Sequence, residues 1–141
     1  MSPEEVVRFC RDQGIGIIDL KFTDLPGTLQ HLSIPLSELI EDNLADGYGF
    51  DGSSIRGFKV IEESDMLLIP DTNAAVVDSF LRIPTLTMFC NVMDPETRDL
   101  FSRDPRYVAQ KAEDHLKGSG LADVSYWGPE LEHFVFDSAQ F

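Results

Sequence analysis

The sequence is short of basic residues, cysteine and long apolar runs, and each shortage removes a class of protein. Eleven Lys and Arg stand against 25 Asp and Glu, a formal net charge of −14. So acidic a chain offers no basic face to track nucleic-acid phosphates, and none to dock on anionic lipid. No apolar run approaches the ~20 residues that a membrane-spanning helix needs. The opening residues, Met1-Ser2-Pro3-Glu4-Glu5, lack the basic and apolar segments of a signal peptide. The two cysteines, Cys10 and Cys90, have no metal-type spacing, and Cys90 lies in an apolar run that reads as core. Internal repeats and low-complexity segments are missing too. A cytoplasmic location is the expectation.

What is present is globular composition: 43% hydrophobic and 10% aromatic residues over 141 positions, enough for a core without disulfide or structural metal. Ser2-Pro3-Glu4-Glu5 reads as a helix start, with a Ser cap, Pro in the first turn and Glu5 completing a capping box. Val6, Val7, Phe9 and Cys10 supply its apolar stripe, and Gly14 ends it. Ile15 to Phe22 predicts a strand. Asp24-Leu25-Pro26-Gly27 predicts a turn, and Thr28 to Ile34 the returning strand of a hairpin. Leu36 to Asp46 predicts a short helix closed by Gly47. Tyr48 to Phe58 holds three glycines and predicts a loop with demanding backbone angles. Further strands are expected at Met66 to Pro70, Phe80 to Ile83 and Thr85 to Met93.

Between Asp94 and Pro105 the chain turns polar and carries two Asp-Pro steps, which marks a linker and places a domain boundary near Ser102. Asp104-Pro105 opens a second helix with Val108, Ala112, His115 and Leu116 at helical spacing, ended by Gly118-Ser119-Gly120. Val124 to Phe136 predicts a strand carrying Glu130 and Glu132. Strands with few helices and no βαβ rhythm indicate an α+β domain over residues 1–102. Residues 103–141 begin a second domain and leave it incomplete.

Two stretches could carry chemistry. Glu130 and Glu132, two apart on a strand, would share a face with Phe134 and Phe136. Paired carboxylates there either emerge hydrated at a strand end or hold a hard cation such as Mg²⁺. Spacing alone favours hydration, since Glu is mostly exposed. In the Gly-rich stretch, Asp51 is followed by Ser53 and Ser54. It lacks the Gly-Lys-Ser/Thr of a phosphate-cradling loop and the alternating ligands of a calcium loop. Asp51 either accepts a proton or holds a small cation, or simply caps neighbouring N–H groups in a turn. The turn is the plainer of the two. Glu62, Glu63 and Asp65 read as a solvated edge, and His31, His115 and His133 as structural.

Four segments, taken together, resemble glutamine synthetase of the bacterial class I type. They are Gly49-Phe50-Asp51-Gly52-Ser53-Ser54-Ile55, Glu63-Ser64-Asp65-Met66, Ser102-Arg103-Asp104-Pro105-Arg106, and Gly128-Pro129-Glu130-Leu131-Glu132 through Phe136-Asp137. Each is short, but four in the family's order are specific. The resemblance implies a β-grasp N-terminal domain followed by the truncated start of a catalytic α/β domain. It implies ligation of ammonia to glutamate, driven by ATP through γ-glutamyl phosphate. Glu130 and Glu132 would each ligate one of two Mg²⁺ or Mn²⁺ ions, and Asp51 would take a proton from ammonium, supported by Ser54 and Asp65. Family members form homo-oligomeric stacked rings, with the Asp51 loop of one subunit completing its neighbour's site.

The family's other metal ligands, its ATP-binding residues, its glutamate-binding arginine and its flap fall beyond Phe141. The chain alone is therefore expected to lack synthetase activity. Two alternatives stand beside this reading: a glutamate–amine ligase of the same family, and a non-catalytic β-grasp assembly module.

Overall fold

A computed structural model describes residues 1–140. Helix α1 (Pro3–Asp12) starts as its sequence dictates. The Ser2 hydroxyl accepts from the Glu5 N–H and the Glu5 carboxylate accepts from the Ser2 N–H, a reciprocal capping box. Its buried side is Val6, Val7 and Cys10. Strand β1 (Ile17–Thr23) and strand β2 (Leu29–Pro35) form the expected hairpin. At its turn the Asp24 carboxylate accepts from the Thr28 N–H at 2.7 Å and from the Gln30 amide at 2.9 Å.

The helix expected over Leu36 to Asp46 is interrupted. Leu36–Glu38 is a 3-10 turn, and α2 (Glu41–Asp46) begins only after extended backbone at Leu39 and Ile40. Leu39 and Leu44 are both buried. Five positions apart on one continuous helix, their side chains would diverge by roughly 140°. The extended step lets both face the core. Gly47, at φ 93°, turns the chain out of α2 into β3 (Tyr48–Asp51).

Strand β4 (Asp65–Asp78) is longer than its sequence suggested. The strand expected to end at Pro70 runs on through Asp71-Thr72-Asn73, with a shift of register between Pro70 and Ala75. The strand expected at Phe80 to Ile83 is instead a turn. The pairing of Asp78 with Thr85 makes the intervening residues reverse direction, and Phe80 projects into solvent at 97% exposure. Strand β5 (Thr85–Met93) falls where predicted.

The sheet order is β2-β1-β5-β4-β3, with β1 and β5 parallel and every other neighbour antiparallel. One face carries the core: Leu86, Met88, Cys90 and Val92 of β5 meet Ile18 and Leu20 of β1, Met66 and Leu68 of β4, and the buried side of α1. The alternation of β5 is the period-2 signal of a strand with two distinct faces. Helix α3 (Pro105–Gly118) lies on the opposite face, through Gln110 to Asn91 at 3.1 Å and an Arg106–Asp71 ion pair. None of its residues is fully buried.

Residues 124–136 form no strand, which corrects the expectation for this segment. A strand is held by a ladder to a neighbour, and among the described residues nothing pairs with these. Tyr126, Trp127, Leu131, Phe134 and Val135 are each more than 85% exposed.

Candidate functional site

The Asp51 loop grows from the pairing of β3 with β4. In the antiparallel register, Tyr48 faces Leu68, Phe50 faces Met66, and Asp51 faces Asp65. Tyr48 is buried, and the Phe50 ring packs tilted against Phe22, 5.0 Å between centroids. These two aromatics fix the strand that ends in Asp51. Phe22 continues to Phe58 at 6.1 Å, and Phe58 to Phe101 at 5.1 Å. The far end of the loop is thereby tied into the core, and the Arg103 guanidinium donates to the Phe58 carbonyl.

Gly52 is where the sequence leaves no choice. A Cβ there would lie 2.4 Å from the Met66 sulfur and 3.1 Å from the Ser64 carbonyl oxygen. The Gly52 N–H donates to that same carbonyl at 2.7 Å, so the loop backbone is pressed onto β4. Gly52–Ser54 then makes one 3-10 turn capped by Asp51. The Asp51 Oδ1 accepts from the Ser53 N–H at 2.8 Å and from the Ser53 hydroxyl at 2.6 Å, while Ser54 Oγ stands 3.4 Å from Oδ2. The Ser53 hydroxyl and then its N–H hold the Asp51 carboxyl below the ordinary carboxylate range.

Opposite Asp51, the Asp65 side chain is also exposed. Directly opposed residues of an antiparallel pair have Cβ atoms roughly 4.5–5.5 Å apart, and like charges so placed repel. Glu62 and Glu63 add negative charge on the adjoining 3-10 turn. Beside them opens a cavity of about 710 Å³ whose walls include Asp65, Asp94 and Glu96, with Lys59 bound to Asp94 at 3.2 Å. The fold thus sets Asp51 opposite Asp65 at one strand end, with Ser54 3.4 Å from Asp51, in a negatively charged, solvent-open locus.

Glu130 and Glu132 are not brought to it. Both lie on the irregular, exposed segment, so the shared strand face read from their spacing is not formed. Carboxylate oxygens are the right donors for a hard divalent cation. Two of them are too few, and no group of three His, Cys, Asp or Glu able to hold a metal occurs among the described residues. The donor chemistry fits a metal in kind, and its shell is incomplete.

Three features escaped the sequence reading. The Ser53 hydroxyl is the shorter contact of Asp51, although Ser54 was the residue expected to support it. Asp19 is buried in the sheet, 2.7 Å from His31 Nδ1 and from the Ser33 hydroxyl, and 3.5 Å from the Lys21 ammonium. The signal was there: an acidic residue inside Ile17-Ile18-Asp19-Leu20 must find partners on neighbouring strands. Third, Asp104 is fully buried, and its carboxylate accepts from the Val92 and Arg106 N–H groups.

Compared with known proteins, residues 14–95 match the family "Glutamine synthetase, beta-Grasp domain", and the chain belongs to that family. It is 49% identical over 140 residues to glutamine synthetases of Microchaete diplosiphon and Aquifex aeolicus. These matches cover 99% of the chain and 30% of each relative, so the chain spans about a third of their length. A 3-hydroxylaminophenol mutase of Cupriavidus pinatubonensis is 44% identical over 136 residues, 96% of this chain and 29% of its own. Among solved structures, a Plasmodium falciparum glutamine synthetase superimposes with a TM-score of 0.76 at 20% identity, covering 85% of this chain and 23% of its own. A GmaS–ADP complex gives 0.74 at 23% identity, covering 84% and 26%. At such identities the two structures establish the fold, a β-grasp. No helix among the described residues is long and apolar enough to cross a membrane.

Proposed function

We propose that this chain is the N-terminal part of an ATP-dependent glutamate–ammonia ligase, and that its Asp51 loop supplies the ammonium end of the reaction. The observation that carries this is the Asp51–Asp65 pairing across β3 and β4, with the hydroxyl groups of Ser53 and Ser54 beside it. Two carboxylates placed opposite each other and open to solvent repel, and a monovalent cation relieves that repulsion. Ammonium offers only N–H donors, and an ionised Asp51 offers only acceptors. Asp51 then serves as proton acceptor: an ammonium N–H bond breaks, the proton passes to the carboxylate, and the nitrogen lone pair is freed to attack an acyl phosphate. Asp65 adds negative potential, and Ser54 lies at the edge of hydrogen-bonding reach.

In this reading residues 1–102 are the β-grasp domain and residues 103–141 open the catalytic domain. Glu130 and Glu132 contribute to a Mg²⁺ or Mn²⁺ site completed by other residues, where the metal would bind ATP phosphates. Glutamate, ammonium and ATP are the substrates, the assembly is a cytoplasmic homo-oligomer of ring type, and the Asp51 loop serves a neighbouring subunit's site. The chain alone, with an unfilled metal shell, makes no glutamine. A second reading draws on the mutase relative: a domain shared with a protein of different name is consistent with a β-grasp unit acting as an assembly module, its loop chemically idle.

A chimera separates the two. This chain is joined to the remainder of the Aquifex aeolicus relative, and glutamine formation from glutamate, ammonium and ATP is measured. The expected result is activity that falls at least about 100-fold in Asp51→Ala, the scale of a lost general base. An active chimera indifferent to Asp51→Ala would leave only the assembly reading.

A further inference from the structure

We propose that Ser53 is the positioning residue of the Asp51 site: it anchors one carboxylate oxygen and leaves the other to the cation. Both Ser53 donors converge on Oδ1, the N–H at 2.8 Å and the hydroxyl at 2.6 Å. A carboxylate oxygen has two lone-pair directions, so two short bonds use the capacity of Oδ1. Oδ2 makes no short bond: Ser54 approaches it at 3.4 Å, beyond the range of a normal O–H···O bond, and the Ser64 side chain adds the smallest of the contacts that lower the carboxyl. The free acceptor is therefore Oδ2.

The arrangement is built into the backbone. Gly52 is buried against Met66 with its N–H on the Ser64 carbonyl, and its own carbonyl, in the peptide that carries the Ser53 N–H, accepts from the Ile55 N–H at 3.2 Å. Ser53 is half-buried, while Ser54 is exposed. A carboxylate held at one oxygen cannot swing, so Oδ2 keeps one direction relative to β4 and Asp65. Ser53 thus governs how Asp51 presents itself, without touching the cation.

This rests on the ammonium reading of Asp51, and the experiment keeps the two apart. The Asp51 carboxyl of the 141-residue chain is titrated by carbon-detected NMR in Ser53→Ala, Ser53→Thr and Ser54→Ala, with amide spectra verifying the fold. Ser53→Ala is expected to move the titration to higher pH, Ser53→Thr to restore it, and Ser54→Ala to leave it nearly unchanged. In the chimera, Ser53→Ala should raise the KM for ammonium roughly tenfold, the scale of one hydrogen bond to a charged group, with the KM for ATP unchanged. A Ser53→Ala titration identical to the parent, or a larger displacement in Ser54→Ala, overturns the role of Ser53 whatever Asp51 does. Unchanged ammonium dependence in Asp51→Ala overturns the ammonium reading while leaving the titration result standing.

Discussion

Replacing Asp104 by Ala should be among the most damaging single changes in this chain. The carboxylate sits at 0% exposure between two elements. One oxygen caps α3 through the Arg106 N–H at 3.0 Å, and the other accepts from the buried Val92 N–H of β5, also at 3.0 Å. Loss of an Asp cap costs about 1 kcal/mol. A buried N–H left without an acceptor costs about 1–3 kcal/mol more. The sum, about 2–4 kcal/mol, is a large share of the 5–15 kcal/mol that holds a typical domain together. Burial also pushes the Asp104 carboxyl above the ordinary range, against the opposing N–H groups of Val92 and Arg106. Asp104→Asn keeps one acceptor oxygen but turns its NH2 toward the other N–H donor, so it should recover only part of the loss of Asp104→Ala. Urea unfolding at neutral pH, with unchanged m-values, measures both. An Asp104→Ala midpoint within about 0.5 kcal/mol of the parent would refute the reasoning, since surface substitutions commonly give no more than that.

Three further outcomes follow from the same geometry. At Asp19, burial raises the carboxyl, but hydrogen bonds from His31 and Ser33 and the charges of His31 and Lys21 outweigh it, so its folded value lies below the ordinary 3.8. A depressed acid gives its full stability above 3.8 and loses it as pH falls through the folded value. Asp19→Asn should therefore flatten the acid limb of urea midpoints between about pH 5 and pH 2, in part only, because Asp24, Asp51 and Asp94 are lowered too; an unchanged limb contradicts this. Gly52→Ala, whose Cβ would meet the Met66 sulfur at 2.4 Å, should cost about 1–3 kcal/mol by overpacking and move the Asp51 titration; a neutral variant would mean that the loop is not pressed on β4. Burial pushes the Cys90 thiol up to about 12 and raises Cys10 as well, so neither should react with a thiol reagent before urea unfolds the chain, and rapid native labelling would contradict their burial.

Most of the fold was legible because its signals are local. The Ser2–Glu5 capping box, the Asp24 turn and the apolar, β-rich run of β5 each act within a few residues, and each forms as read. The failures lie where tertiary partners decide. Asp71-Thr72-Asn73 carries turn residues, but pairing with β5 on both sides of the irregularity holds it in β4. Phe80 to Ile83 carries strand residues, but the hairpin geometry makes them a turn. Leu39 breaks a helix that its neighbours would continue, because the core takes both it and Leu44.

The same division runs through the site. Spacing alone made Asp51 a turn cap, and it is one: its carboxylate does cap the 3-10 turn of Gly52–Ser54. Capping and proton acceptance are not rivals, because a carboxylate has two oxygens. The one engaged by Ser53 serves the turn, and the other makes no bond as short, with Ser54 approaching it at 3.4 Å. Local sequence could name the residue but not the partition, which depends on the backbone direction that Gly52 and β4 impose. Glu130 and Glu132 show the opposite limit. Their two-residue spacing with Phe134 and Phe136, with Leu131 and Val135 between, is a strand signal, yet apart from the stacking of Phe134 on Phe136 at 6.0 Å these apolar side chains stand exposed. A strand signal is a statement about a partner as much as about the segment that carries it. For Asp51 that partner is β4, within the chain, and so its loop is formed.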